Sequence, residues 1–98
     1  MIIVLAKTIP KDEDAKNKII DFSRDLIENS KSETGNIDYN LFCDTSDHSL
    51  LFVEKWKSME ILQKHMQTKH FIQFGKNIAD LVSGDMGIEI YTSEKLEF

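Results

Sequence analysis

The chain opens with Ile2-Ile3-Val4-Leu5-Ala6-Lys7-Thr8-Ile9, a run rich in β-branched residues that stops at Pro10, the sole proline. This predicts a first strand closed by a turn. From Asp12, the residues Ala15, Ile19, Phe22 and Leu26 return at three- and four-residue spacing, with acidic neighbours ahead and Gly35 behind. The pattern predicts a helix over 12–34, with Asp12 as N-cap and Gly35 at its C-terminal stop. The period then changes to two. Ile37, Tyr39, Leu41 and Cys43 alternate with Asp38, Asn40, Phe42 and Asp44, and a polar cluster at 44–49 leads hairpin-fashion into an apolar run over 50–57. Two further strands are expected. Ser58 opens a helix carrying Met59, Leu62 and Met66, the spacing breaks near Thr68, and Phe71, Phe74, Ile78 and Leu81 resume it, so the second helical region is expected in two pieces. Gly84 and Gly87 bracket a turn, Ile88 and Ile90 alternate with Glu89 and Tyr91 in a last strand, and 93–98 form a charged tail with Leu96 and Phe98 as apolar anchors.

The order β-α-β-β-α-β is the split βαβ arrangement of a ferredoxin-like α+β domain, a single domain over 1–98 with both helices on one face of an antiparallel sheet. The first and third strands are apolar on both faces (Ile3 and Leu5 against Ile2 and Val4; Leu51 and Val53 against Leu50 and Phe52), as suits central strands. Helices on one side leave the other side bare, an apolar patch larger than a soluble monomer usually carries. A homodimer joined through that sheet face is the expected remedy. The length, 98 residues, points the same way, because so short a chain buries only about 60 to 65% of the surface it exposes when unfolded.

Charge removes whole classes of partner. Twelve basic and seventeen acidic residues give a net charge of -5, with lysines scattered among carboxylates, so no nucleic acid is expected. The most apolar stretch, 2–6, is far short of the roughly 20 residues a bilayer span needs and has no basic region or small-residue cleavage site beside it. No membrane association is expected. The single cysteine, Cys43, cannot form an internal disulfide, which fits a reduced, cytoplasmic compartment. Its register with Ile37, Tyr39 and Leu41 predicts a buried, inert thiol.

Reactive side chains concentrate in Glu54-Lys55-Trp56-Lys57-Ser58 and the stretch from Leu62 to Phe71. His65 and His70 are five residues apart, which puts them roughly 140° apart on a continuous helix, and no nearby carboxylate or cysteine completes a ligand set. No metal is expected. As imidazoles they suit acid or base work near neutral pH; equally, His65 could sit on a helix flank and His70 could cap the next helical piece. Trp56 shares a strand face with Leu50, Phe52 and Glu54, as a core anchor or a ligand wall. Phe71 and Phe74 fall at core spacing and would line any pocket between helix and sheet. Asp12-Glu13-Asp14 reads as a solvated helix start. Glycine-rich nucleotide loops and a Gly-x-Ser-x-Gly elbow are absent, so nucleotide, flavin and serine-hydrolase chemistry have no support.

Glu54-Lys55-Trp56-Lys57-Ser58-Met59-Glu60-Ile61-Leu62, followed by His65-Met66-Gln67-Thr68-Lys69-His70-Phe71, resembles the signature of the antibiotic biosynthesis monooxygenase (ABM) superfamily, a strand ending Glu-x-Trp that leads into a His-x-x-(Ser/Thr)-x-His-Phe segment. Val4-Leu5-Ala6-Lys7, the acidic start of the first helix and Glu33-Thr34-Gly35 before the second strand agree with it. The resemblance implies a dimeric α+β barrel of paired sheets with a pocket in each protomer. It implies a quinol monooxygenase-like enzyme that oxidises a small quinol-like or polycyclic aromatic substrate with dioxygen, without flavin, metal or other cofactor, by deprotonating an electron-rich phenol. On the matching positions His65 and His70 are the candidate catalytic residues, as base or anion donor, and Trp56, Phe71 and Phe74 the candidate substrate-binding wall. The haem-degrading branch resembles a triad of a first-strand asparagine, a tryptophan and a histidine ligand. Here 2–9 holds no asparagine, His65 falls at the tryptophan's place and Gly75 at the ligand's, so haem degradation is disfavoured. A non-catalytic dimer that binds a small ligand is the alternative on the same fold.

Overall fold

The computed structural model describes all 98 residues as β1 (Ile2–Thr8), α1 (Glu13–Lys31), β2 (Asn36–Cys43), β3 (Leu50–Trp56), α2 (Met59–His65), α3 (Lys69–Ile78) and β4 (Gly87–Thr92). The four strands form one antiparallel sheet in the order β2-β3-β1-β4, the ferredoxin-like α+β topology that the pattern predicts. Central position explains the two-sided apolarity of β1 and β3. Ile2, Val4, Ala6 and Thr8 of β1, and Leu50, Phe52, Glu54 and Trp56 of β3, are buried under the helices; Ile3, Leu5, Leu51 and Val53 are half-buried on the opposite face. None of the helices is long and apolar enough to cross a membrane.

The helix boundaries follow local chemistry. Asp12 Oδ1 accepts the Ala15 N–H at 2.7 Å and starts α1 as an N-cap. The helix stops at Lys31, three residues before the expected end, because Ser32 and Glu33 close tighter turns onto the carbonyls of Asn29 and Ser30. Gly35 then takes φ +89°, and an added Cβ would collide with the Ile61 side chain of α2. Its carbonyl accepts the Lys57 N–H at 2.9 Å, so the turn carrying Glu33 is pinned between β3 and α2.

The predicted break at Thr68 is present. Thr68 Oγ1 donates to the His65 carbonyl at 2.7 Å and accepts the Phe71 N–H at 3.3 Å, ending α2 and capping α3 with one hydroxyl. Strand β2 departs from expectation. A register irregularity lies between Asn36 and Asp38, Tyr39 is buried and Leu41 packs partly against the core, but Ile37 and Cys43 are exposed. The strand is at the sheet edge, and Cys43 pairs with Leu50 at its outer corner, so the expected buried thiol is solvent-facing.

Candidate functional site

A cavity of about 180 Å³ lies between the sheet and the helices. Val4, Ala6 and Phe52 form its floor, Leu62, Phe71, Phe74 and Ile78 its roof, and Ile88 and Ile90 of β4 the side where the helices give less cover. Phe74 meets Phe52 edge-on, with ring centroids 5.6 Å apart. Three side chains bring polar atoms into this apolar lining: Tyr39, Glu54 and His65.

His65 is the last residue of α2 and is fully buried. Its ring lies 4.5 Å from Trp56, 5.0 Å from Phe71 and 5.4 Å from Tyr39, measured between centroids, so aromatic neighbours fix its plane. Nδ1 stands 2.6 Å from Glu33 Oε2, and the same oxygen stands 2.8 Å from His70 Nε2. Nε2 of His65 is buried without a hydrogen-bond partner. Burial holds the His65 pKa below the ordinary imidazole value, against the opposing pull of Glu33, which leaves the ring neutral at neutral pH. Buried polar atoms are nearly always paired, so this unpartnered nitrogen on a cavity-lining side chain is the conspicuous chemical feature of the site.

Glu54 points to the same cavity from β3. Its Oε1 accepts the Trp56 indole N–H at 3.0 Å. Burial pushes its pKa up to about 7, against the lowering effect of Trp56 and the Tyr39 hydroxyl, so near neutral pH it stands close to half-protonated. Tyr39 is directly opposite Glu54 in the sheet register, and burial, followed by the charge of Glu54, holds its phenol far above the ordinary tyrosine range. Its hydroxyl is therefore a proton-bearing donor at all working pH values.

Each residue singled out from the sequence finds a place. Phe71 and Phe74 line the cavity; His65 lines it as well. Trp56 does not: it is fully buried behind the wall, its ring tilted 38° against that of His65 and its indole N–H bonded to Glu54. His70, with a side chain 20% exposed, borders an outer groove between α1 and α3 and meets the site through Glu33 and through its ring, 5.9 Å from that of His65 between centroids. The expected 140° separation of the histidines presumed a continuous helix. Because the chain breaks between α2 and α3, both imidazoles converge on one carboxylate, and that carboxylate comes from a turn 32 residues before His65.

The three candidate ligand atoms lie within 4.8 Å of one another. Two contacts of 2.6 and 2.8 Å on one oxygen are hydrogen-bond lengths. Ligands around a tetrahedral zinc with bonds near 2.0 Å stand about 3.3 Å apart, wider than these two contacts, and Glu33 supplies the carboxylate that the sequence neighbourhood of the histidines does not offer. Sequence reasoning did not reach Glu33, Tyr39 or Glu54 as site residues. Glu54 left a signal, a carboxylate in the buried register of Leu50, Phe52 and Trp56.

Residues 1–77 match the family model described as antibiotic biosynthesis monooxygenase. Over 90 residues the chain is 39% identical to the uncharacterized protein sll1783 of Synechocystis sp., covering 91% of this chain and 61% of that protein, so it spans about three-fifths of that relative's length. It is 26% identical over 88 residues to YcnE of Bacillus subtilis, a provisionally named monooxygenase, covering 89% and 93% of the two chains. Among solved structures, an antibiotic biosynthesis monooxygenase shares the fold with a TM-score of 0.88 at 24% identity, covering 97% of this chain and all 100% of the other. Rv0793 of Mycobacterium tuberculosis does so with a TM-score of 0.89 at 18% identity, covering 97% and 96%. At these identities the structural likenesses speak for the fold, whereas the family model, which runs from the first strand through the two histidines to residue 77, speaks for descent. The chain belongs to the antibiotic biosynthesis monooxygenase family.

Proposed function

We propose that the protein is a cofactor-independent monooxygenase that oxidises a small, single-ring quinol-like substrate with dioxygen, and that His65 takes the phenolic proton. The observation that carries this reading is the unpartnered Nε2 of a buried, neutral imidazole lining an otherwise apolar cavity. A phenol entering the cavity supplies the proton that this nitrogen lacks. Removal of that proton makes an electron-rich anion, and the Tyr39 hydroxyl, with Glu54 when protonated, gives it hydrogen-bond donors in a water-poor site.

Size narrows the substrate. An apolar cavity of about 150 Å³ admits benzene, so about 180 Å³ suits one substituted ring and is small for a polycyclic compound or a haem. For hydroquinone the balance closes without added reductant. One ring C–H becomes C–OH, both original hydroxyls become carbonyls, the substrate gives up four electrons, and dioxygen accepts them, one oxygen atom entering the product and the other leaving as water. The proton held by His65 returns to that water.

The same reading includes a homodimer through the outer sheet face, where Phe42 and Tyr91 are 54% and 47% exposed beside Ile3, Leu5, Leu51 and Val53. The test is oxygen uptake by metal-stripped protein with a panel of methyl-substituted hydroquinones. Replacement of His65 by alanine is expected to lower uptake about 100- to 10,000-fold, the usual worth of a positioned base. Uptake at the parental rate in that variant, with an unchanged melt, contradicts the assignment. Binding of the quinols without any oxygen uptake in the parent favours a binding module instead.

A further inference from the structure

We infer that Glu33 is a positioning residue that locks His65 in the tautomer with Nδ1 protonated and Nε2 free, and that His70 steadies Glu33 by donating to the same carboxylate oxygen. The inference rests on the reading of His65 as base and extends it to two residues that do not line the cavity.

A neutral imidazole carries one N–H, and a carboxylate can only accept. The 2.6 Å contact between His65 Nδ1 and Glu33 Oε2 therefore holds the ring proton on Nδ1. The other tautomer would set two lone pairs against each other at that distance and bury an N–H on Nε2, which has no acceptor nearby. Protonated Glu33 could reverse the first bond, but two imidazole nitrogens converge on its one oxygen, and a single hydroxyl proton could serve only one of them, whereas a carboxylate oxygen accepts from both.

The fold gives this carboxylate little freedom. The Glu33 N–H donates to Ser30 and its carbonyl accepts from Asn36, each at 3.1 Å, while Gly35 two residues on is pressed against Ile61. His70, the second residue of α3, reaches the oxygen at 2.8 Å from the far side of the Thr68 break. One helix end thus supplies the base, the next helix start supplies the second donor, and the turn after α1 supplies the acceptor between them. Since the proton taken from the quinol returns to the water that leaves, the trio has no need to conduct a proton to solvent. Its work is orientation, and it also places a negative charge behind the imidazolium that forms during turnover.

The test combines a spectrum with kinetics. Long-range ¹H–¹⁵N spectra of histidine-labelled protein distinguish protonated from unprotonated ring nitrogens, and the parent is expected to show His65 with Nδ1 protonated and Nε2 bare at neutral pH. Glu33→Gln, whose amide can donate to Nδ1, is expected to move the proton to Nε2. With hydroquinone as probe it is expected to lower kcat about 1,000- to 10,000-fold while KM changes far less, the pattern of a base held in the wrong tautomer. Glu33→Asp should recover part of the rate. His70→Gln, which keeps a donor near the Nε2 position, should stay within about threefold of the parent, whereas His70→Leu should lose about tenfold or more through a loosened carboxylate.

A parent spectrum with Nε2 protonated overturns the inference, as does Glu33→Gln that turns over normally. Equal losses in His70→Gln and His70→Leu overturn the donor role of His70. Loss of turnover on chelation makes the trio a metal set and overturns the whole assignment. Parental turnover by His65→Ala, with the tautomer as assigned, instead rejects the base reading on which the inference stands. Should the glutamine variant unfold, the parent spectrum and the aspartate variant still decide.

Discussion

The two faces of the central strands carry opposite anomalies. On the helix-facing side of β3, a carboxylate, Glu54, is buried in line with Leu50, Phe52 and Trp56. On the outer side, Leu51 and Val53 stand half-buried with no helix over them. A polar group in a core register is tolerated only where it has partners and a use, and an apolar group on an open face only where something covers it. The proposed chemistry therefore falls on the inner face and the proposed association on the outer one.

Charge insertion separates the two faces most sharply. Phe52→Asp puts an unpaired carboxylate between β3 and Phe74, and the variant is expected not to fold, with no cooperative melt by circular dichroism. A folded, native-melting Phe52→Asp would break the assignment of that face.

Glu54→Gln gives the next largest effect on stability. The folded-state pKa of Glu54 is about 7 against 4.5 for a solvated glutamate side chain, so the buried carboxyl favours the protonated form. Its contribution to stability is fully present below about pH 4.5 and is lost as pH rises through 7, a loss of at most about 3 kcal/mol. His65 works in the opposite sense, since its depressed pKa gives a contribution that is present above about 6.5 and is lost as pH falls below it. The difference between parent and Glu54→Gln isolates the first effect. Urea titrations should show the glutamine variant gaining on the parent as pH rises from 4.5 to 7.5, and a constant difference across that range would contradict the burial argument.

The smallest change to the protomer is expected from Leu51→Asp. It should leave the melt of the fold within about 1 kcal/mol, because the side chain faces outward, yet convert a dimer to a monomer in light scattering. A monomeric parent, or a dimeric Leu51→Asp, would remove the outer-face interface.

Much of this molecule is legible in its sequence, for a physical reason. Two-sided apolarity identifies β1 and β3 as central because burial acts on each residue separately, and the Thr68 break shows in the lapse of helical spacing. Where structure depends on contacts between distant segments, the pattern says less. Helix α1 ends at Lys31 because of turns that pack Gly35 against Ile61, and no local spacing contains that contact. The edge position of β2 exposes Cys43 despite its inward register. The site divides in the same way. His65, Phe71 and Phe74 follow from the spacing of the second helical region, and Glu54 was readable as a carboxylate in a core register. Glu33 was not, because its meeting with His65 and His70 depends on how two helices are set on either side of a break.

The central claim, that His65 and not the equally buried Glu54 is the base, is tested most directly by the pH profile of hydroquinone-dependent oxygen uptake. Values of kcat/KM, corrected for protein-free autoxidation, should be measured in the parent, His65→Ala and Glu54→Gln. With His65 as the base, an ascending limb is expected with its midpoint below the ordinary imidazole value of about 6.5, absent from His65→Ala and retained in Glu54→Gln. A limb near 7 that survives in His65→Ala and disappears in Glu54→Gln would make Glu54 the base and contradict it.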